Sequence, residues 1–199
     1  MELIDSSVFS SYLSEVNFAV NTVNQEKILE VIDCMTRATI NQGRLWIIGN
    51  GGSSATASHF AADLMRQSNQ EVYKVRASCL SESTARVTAI GNDYEFEEIF
   101  ARQIWSLANE GDVLCLLSAS GNSQNLVRGV RTAKSMGIET IALVGFEGGA
   151  LKKESDLYLH FRTQVGSYEI AEDAQSIACH FIAMNVRNQL DIVASKMKI

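Results

Sequence analysis

Residues 45–54 read LWIIGNGGSS, a short apolar run that leads directly into a glycine-rich turn. The first four residues are apolar without alternation, which is typical of a strand buried on both faces of a parallel sheet. The glycines let the backbone approach a ligand closely, and the helix predicted over residues 54–67 offers free N–H groups at its start. This stretch therefore predicts a strand, a ligand-binding turn and a helix.

Two familiar glycine motifs do not fit this turn. Ser54 replaces the third glycine of the dinucleotide motif GxGxxG, and the second predicted strand ends in CLS at residues 79–81, without an acidic residue. A Walker A loop needs a lysine after its glycines, and this turn lacks one. A tight strand-to-helix turn that binds nothing remains the alternative.

The alternation of apolar strands and helices continues along the chain. Strands are predicted at residues 45–48, 73–79, 113–117, 140–144 and 157–161. Helices are predicted at residues 54–67, 94–108, 123–136 and 170–196. Buried strands separated by helices indicate an α/β fold in three layers, with a five-stranded parallel sheet flanked by helices. Ligands bind such sheets at the carboxyl ends of the strands.

The first 43 residues form an N-terminal helical extension with a pattern of its own. Apolar residues recur there at helical spacing: Leu3, Ile4, Val8, Tyr12, Leu13, Val16 and Ala19, then Ile28, Leu29, Ile32 and Met35. The sheet does not obviously need these helices as a cover, so we expect them to pack between subunits. No repeat or linker interrupts residues 1–199, which predicts a single domain.

Composition excludes several classes of protein. With 199 residues, 46% of them hydrophobic, the chain can bury a core and is not disordered. The net charge of −6 argues against direct nucleic-acid binding, which favours an excess of Lys and Arg. An acidic protein can still bind a small anion through backbone amides.

The four cysteines show no CxxC pair or zinc-finger spacing, so we expect buried, reduced thiols. The chain has neither a signal-peptide pattern at its N-terminus nor 18 consecutive apolar residues for a membrane span. These features predict a cytoplasmic protein without a membrane partner.

Residues 118–123 read SASGNS and follow the third predicted strand; we call them the serine loop. Three hydroxyls, one glycine and the start of a helix are typical of a nest for a phosphate monoester. Such a nest needs no net positive charge, in agreement with the acidic composition. The alternative is an ordinary helix cap, for which a single serine would suffice.

The two loops together resemble those of the sugar isomerase (SIS) domain, in which SxSGxS and GNGGS each follow a buried strand. Further stretches resemble bacterial sedoheptulose 7-phosphate isomerases: GNGGSSATASHFAAD at residues 49–63, AIGND at 89–93, GDV at 111–113 and residues 171–180. The resemblance covers nearly the whole chain. It implies an aldose–ketose isomerase that forms a homotetramer, acts on a phosphorylated sugar and carries one zinc ion per subunit.

By this resemblance, the substrate is held by Asn50, Gly51, Gly52, Ser53, Asp63, Asn92, Asp93, Ser118, Ala119, Ser120, Ser123 and Glu172. The resemblance implies that the serine loop binds the phosphate group. The family usually has threonine where this chain has Ala119, so one hydroxyl is missing. Backbone N–H groups do much of the work in such a nest, so we expect weakened rather than abolished phosphate binding.

The resemblance also assigns the metal and the acid–base pair. The zinc ligands are His59, Asp63, Glu172 and His180, and the catalytic residues are Asp63 and His180. The family has Glu where this chain has Asp63, Gln at position 172, and often a further His where Gln175 stands. Residues 172 and 180 are separated by about 12 Å along a regular helix. Either their side chains converge, or the helix is irregular, or two subunits contribute.

The most favoured function is the conversion of sedoheptulose 7-phosphate to D-glycero-D-manno-heptose 7-phosphate, for bacterial surface polysaccharides. One alternative is a non-catalytic SIS-domain protein that binds the DnaA replication initiator. Such proteins lack the terminal His, so the presence of His180 argues against this alternative. The other alternative is an isomerase of a different sugar phosphate.

Overall fold

The structure, a computed structural model, describes residues 5–66 and 72–197. The strands are β1 Arg44–Gly49, β2 Arg76–Cys79, β3 Val113–Ser118, β4 Glu139–Val144 and β5 Leu157–His160. They form one sheet in the order β2-β1-β3-β4-β5, and every neighbouring pair is parallel. The predicted five-stranded parallel sheet is confirmed.

Helices cover both faces of the sheet. They are α1 Ser6–Asn21, α2 Gln25–Ile40, α3 Gly51–Leu64, α4 Thr84–Asp93, α5 Ala101–Leu107, α6 Gln124–Ser135, α7 Gly149–Glu154 and α8 Tyr168–Met197. Helices α1, α2, α3 and α8 pack over one face, and α5, α6 and α7 over the other. The three-layer architecture with N-terminal helices is therefore confirmed. The expectation that the sheet does not need these helices as a cover is wrong for α2, which buries Val31, Ile32 and Met35 in the core over the sheet.

The two cores explain why the strands are apolar without alternation. In β1, Leu45 and Ile47 point to the core beneath α3 and α8, whereas Trp46 and Ile48 point to the core beneath α5 and α6. Successive side chains of a strand leave opposite faces of the sheet. Because both faces are covered by helices, every position of the strand has to be apolar.

The structure differs from the predicted elements in the second quarter of the chain and after β4. Helices α4 and α7 were not predicted, and the helix predicted over residues 94–108 divides into a short 3-10 turn, Phe96–Glu98, and α5. Helix α4 has no fully buried residue and α7 buries only Leu151. Neither helix therefore has the repeated apolar positions from which a helix is predicted. Residue 67 and the N-terminal positions Leu3 and Ile4 lie outside the described residues.

Strand β1 lies between β2 and β3, so the chain moves outwards in both directions from the β1–β3 pair. In this pair, Gly49 is in register with Leu117. The glycine turn and the serine loop therefore leave the sheet side by side at its carboxyl edge. This is the switch point at which open α/β sheets bind ligands.

The predicted state of the cysteines is confirmed, since all four are buried free thiols. Burial raises the pKa of Cys115 to about 12, so the thiol form is favoured. Among the described helices, none combines the length and the apolar character that a membrane crossing requires.

Asp112 connects β1 and β3 at the amino-terminal edge of the sheet. Its buried carboxylate accepts hydrogen bonds from the Arg44 amide at 2.8 Å, from Trp46 Nε1 at 2.8 Å and from the Asn109 amide at 2.9 Å. One side chain thus ties the start of β3 to the start of β1. Removing it leaves three donors without their acceptor.

We expect the substitution Asp112→Ala to lower the free energy of unfolding by about 3 kcal/mol, because buried donors lose their partners. Urea denaturation followed by circular dichroism measures this change. The matched control is Asp33→Ala, which removes a carboxylate from an exposed pair with Arg37 and should cost less than about 0.5 kcal/mol. Equal effects of the two substitutions would contradict the assignment of Asp112.

Candidate active site

Two helices start at the carboxyl ends of the neighbouring strands β1 and β3. Helix α3 begins at Gly51 directly after Asn50, and α6 begins at Gln124 directly after Ser123. Within the described part of the chain, neither N-cap side chain hydrogen-bonds to its own helix. The N–H groups of Gly51 and Gly52 in α3 and of Gln124 in α6 therefore lie at helix starts that favour an anion, whereas the Ser53 amide already faces the Glu172 carboxylate.

A reciprocal pair of amide hydrogen bonds joins the two helix starts. Asn50 Nδ2 donates to Asn125 Oδ1, and Asn125 Nδ2 donates to Asn50 Oδ1, both at 2.9 Å. Asn125 is buried, and its Oδ1 also accepts from the Leu126 amide. The pairing fixes the spacing of the glycine turn and the serine loop. Asn125 was not predicted as a site residue, because in the sequence it is one polar residue among others in a predicted helix.

Internal hydrogen bonds shape the serine loop. Ser118 Oγ accepts from the Gly121 amide at 3.0 Å, and Ser120 Oγ accepts from the Asn122 amide at 3.3 Å. Gly121 has a φ of +66°, and a Cβ at this position would overlap the backbone of the loop after β4. The turn therefore requires glycine. Its geometry leaves the half-buried Ser120 and Ser123 at the pocket.

The structure brings most of the predicted substrate residues to one pocket of about 280 Å³. From the α3 start and the serine loop it is lined by Asn50, Gly51, Gly52, Ser53, Ser118, Ala119, Ser120 and Ser123, and from α8 by Tyr168 and Glu172. None of the lining residues in the described chain is basic. An anion in this pocket would therefore be held by N–H and hydroxyl groups.

Glu172 reaches from α8 to the start of α3. Its carboxylate lies so close to Gly52 that a Cβ there would overlap it, and the Ser53 amide faces it. Burial, together with the negative charges of Glu169 and Asp173, raises the pKa of Glu172, while the Ser53 N–H acts in the opposite direction. Glu172 is thus placed in the pocket as a hydrogen-bond acceptor.

His59, Asp63 and His180 form a cluster further along α3 and α8. Asp63 Oδ2 lies 2.8 Å from His180 Nδ1 and 3.8 Å from His59 Nε2. One ligand atom from each residue lies within 4.8 Å of the others. Since a carboxylate accepts, His180 Nδ1–H donates to Asp63. Two imidazole nitrogens and a carboxylate oxygen are a donor set that suits zinc.

Three predicted positions differ from expectation: Glu172 lies in the pocket but not in the cluster, and Asn92 and Asp93 lie in neither. Glu172 is not part of the His59–Asp63–His180 cluster among the described residues, because α8 is regular and separates it from His180 by about 12 Å. Asn92 and Asp93 are exposed at the end of α4 and do not line the pocket. The unpredicted helix α4 accounts for their position.

Gln175 is a further residue whose place the sequence did not indicate. Its side chain is fully buried, and its Nε2 donates to the carbonyls of Ser118 and Leu143, both at 3.2 Å. These carbonyls lie near the carboxyl ends of β3 and β4. Gln175 therefore connects α8 directly to the start of the serine loop.

Comparison with known proteins assigns the chain to a family. The SIS domain model matches residues 9–145, more than half of the chain. A probable phosphoheptose isomerase of Thermoplasma acidophilum is 37% identical over 171 residues, which cover 86% of this chain and 93% of that relative. The phosphoheptose isomerase of Helicobacter pylori strain P12 is 42% identical over 135 residues, 68% of this chain and 70% of that protein.

The chain belongs to the phosphoheptose isomerase family of SIS-domain proteins. Solved structures of phosphoheptose isomerases agree with it at the level of the fold: that from Neisseria gonorrhoeae has a TM-score of 0.81 and 28% identity, covering 91% of this chain and 95% of the other. The one from Francisella tularensis has a TM-score of 0.82 at the same identity, covering 92% and 95%. The predicted resemblance is therefore confirmed.

In this chain, we expect Gly52→Ala to impair the site without unfolding the protein. The added methyl group displaces the end of the flexible Glu172 side chain, so the free energy of unfolding should change by less than about 1 kcal/mol. The displaced carboxylate should weaken sugar phosphate binding by about tenfold. Titration calorimetry and urea denaturation measure the two quantities.

The matched control is Gly91→Ala in α4, where a Cβ meets nothing closer than 3.9 Å. It should leave binding unchanged. Wild-type affinity in Gly52→Ala would contradict the placement of Glu172 in the substrate pocket.

Proposed function

We propose that the protein converts sedoheptulose 7-phosphate to D-glycero-D-manno-heptose 7-phosphate by aldose–ketose isomerisation. The observation that carries this proposal is the pairing of α3 with α8. Glu172 meets the start of α3 and His180 meets Asp63 near its end, so the two helices run side by side in the same direction. The substrate pocket and the His59–Asp63–His180 cluster thus lie along the same pair of helices.

The spacing of the pocket and the cluster along α8 suits a long sugar phosphate. Positions 172 and 180 are about 12 Å apart along α8. A seven-carbon chain with bonds of about 1.5 Å, carrying a phosphate at one end, extends over a comparable distance. A phosphate in the serine loop would leave the carbonyl end of the sugar near Asp63 and His180.

Asp63 and His180 are the proposed acid–base pair. Isomerisation moves a proton between two adjacent carbons by way of an enediolate, so a base must take it from one carbon and return it to the other. In this proposal the Asp63 carboxylate, 18% exposed, carries this proton. His180, which is hydrogen-bonded to Asp63, exchanges a proton with the adjacent oxygen.

His59, Asp63 and His180 are also the proposed zinc ligands, one ion per subunit. Two His and one carboxylate with an open position is a common catalytic arrangement. When bound, zinc would polarise the carbonyl and hydroxyl oxygens of the sugar. The burial of Glu172 against Gly52 and Ser53 suits substrate contact better than metal binding in the same subunit.

We expect His180→Ala to lower kcat for sedoheptulose 7-phosphate by at least about 10³-fold, because the pair loses its proton-exchanging group. A coupled assay of heptose 7-phosphate formation measures this loss. Phosphate binding should stay within about twofold of wild type, because the serine loop makes no contact with this side chain.

The matched control is Asn188→Ala, at an exposed position on the same helix, which should keep full activity. Wild-type activity in His180→Ala would contradict the assignment. A wild-type protein with neither zinc nor isomerase activity would favour the DnaA-binding alternative, and activity on another ketose phosphate alone would favour the third hypothesis.

The proposed assembly is a homotetramer in the cytoplasm, supplying heptose for surface polysaccharides. Helix α1 buries Val16 and Ala19 but exposes Phe9, Leu13 and Phe18, each at least 51% exposed. The Tyr12 hydroxyl donates to Asp173 at 2.6 Å and fastens α1 to α8, which raises the pKa of Tyr12 to about 12. An apolar helix face held rigidly at the surface supports packing between subunits.

We expect the wild type to have four times the 21.8 kDa chain mass in light scattering at micromolar concentration. Introducing Phe9→Glu and Leu13→Glu together should yield smaller species with an unchanged circular dichroism spectrum, because charges replace apolar contacts outside the core. Ser135→Glu on the opposite face is the control. A monomeric wild type would refute the proposed assembly.

A further inference from the structure

Tyr168 lines the substrate pocket and was not predicted from the sequence as a site residue. It is the first residue of α8, and 53% of its surface is exposed. Among the described residues that line this pocket, it is the only aromatic one. Leu117 and Leu126 also line the pocket but are almost fully buried, at 0% and 1% exposure, whereas the Tyr168 side chain is exposed.

Phe146 holds the ring of Tyr168 in place. The two ring centroids are 5.1 Å apart and the planes meet at 75°, an edge-to-face arrangement. Phe146 is buried in a small cluster with Ala119 of the serine loop and Ala171 of α8. Through Phe146, Tyr168 is therefore in indirect contact with the serine loop, which is proposed to bind the phosphate.

The backbone of Phe146 is held in an uncommon conformation. Its φ is +43°, in the left-handed region that a bulky side chain rarely adopts. Its N–H donates to Thr163 Oγ1 at 3.1 Å, and its carbonyl accepts from His160 Nε2 at 2.9 Å. Strained residues persist where the surroundings fix them, and they cluster at ligand sites.

Lys152 determines which nitrogen of His160 carries the proton. The Lys152 ammonium can only donate, and it lies 3.1 Å from His160 Nδ1, so Nε2 bears the hydrogen that Phe146 accepts. Burial, assisted by the charges of Lys152 and Arg162, lowers the pKa of His160 against the opposing hydrogen bond to Phe146. The neutral imidazole is favoured, as this arrangement requires.

We propose that Tyr168 is a specificity-determining residue that contacts the carbon chain of the sugar, with Phe146 as its positioning residue. The inference rests on the proposed function. Backbone amides bind a phosphate group whatever is attached to it, so the serine loop alone cannot distinguish a sugar phosphate from a small phosphate ester. An aromatic face packed against the C–H groups of a longer chain makes that distinction.

The test compares two ligands and two substitutions by titration calorimetry. Tyr168→Ala should weaken binding of sedoheptulose 7-phosphate by about tenfold but that of glycerol 3-phosphate by less than about twofold. The matched control Tyr168→Phe keeps the ring and should stay within about threefold of wild type for both ligands.

Equal losses for the two ligands, or no loss for the sugar phosphate, would overturn the inference. If the wild type binds sedoheptulose 7-phosphate and Tyr168→Ala binds it equally well, only this inference fails. If the wild type binds no sugar phosphate, the proposed function fails with it.

The positioning role of Phe146 is tested separately with Phe146→Leu, which keeps an apolar group against Ala119 and Ala171 but removes the ring edge. We expect KM for the sugar phosphate to rise about fivefold with kcat within about twofold, since binding contacts are lost without loss of the acid–base pair. A lower melting temperature with unchanged KM would overturn this role and leave Phe146 purely structural.

Discussion

The side-chain amide of Gln175 is the contact on which the arrangement of the site depends. It lies fully buried on α8 and donates to two carbonyls near the ends of β3 and β4, those of Ser118 and Leu143. The Ser118 carbonyl also accepts from the Gly145 amide at 3.1 Å, so the Gln175 bond is an additional one that holds α8 at the edge of the sheet. Because α8 is one regular helix, this contact, together with the bonds of Asp173 to Tyr12 and of His180 to Asp63, sets the positions of Glu172 and His180 relative to the serine loop.

An acidic chain can build an anion pocket because the pocket depends on backbone geometry rather than on charge. Two helix starts face the same space, and the paired amides of Asn50 and Asn125 hold them there. The methyl group of Ala119 is buried against Phe146, and this packing stabilises the loop. The amides of Gly121 and Asn122 are bonded within the loop, so the pocket depends on the remaining N–H groups and on the hydroxyls.

The parts of this structure that could be predicted are those with local signals. The apolar runs before GNGGS and SASGNS predicted β1, β3 and both loops, because buried strands and tight turns each depend on a few consecutive residues. Helix α4 buries nothing completely and left no pattern, so the displacement of Asn92 and Asp93 from the pocket could not be foreseen. Asn125 and Phe146 act through partners distant in the chain, which no local pattern reveals.

The acid–base cluster and the phosphate pocket differ in their exposure. The side chains of His59 and His180 are 60% and 51% exposed, and next to His180 on α8 the apolar Ile177, Phe181 and Met184 are exposed as well. Charged transition states are stabilised more strongly where water is excluded. A single chain does not exclude water from His180. The apolar surface around His180 would exclude water if a second subunit covered it. Exposed apolar side chains therefore lie beside the proposed chemistry on α8 as well as on α1, from which the assembly is proposed.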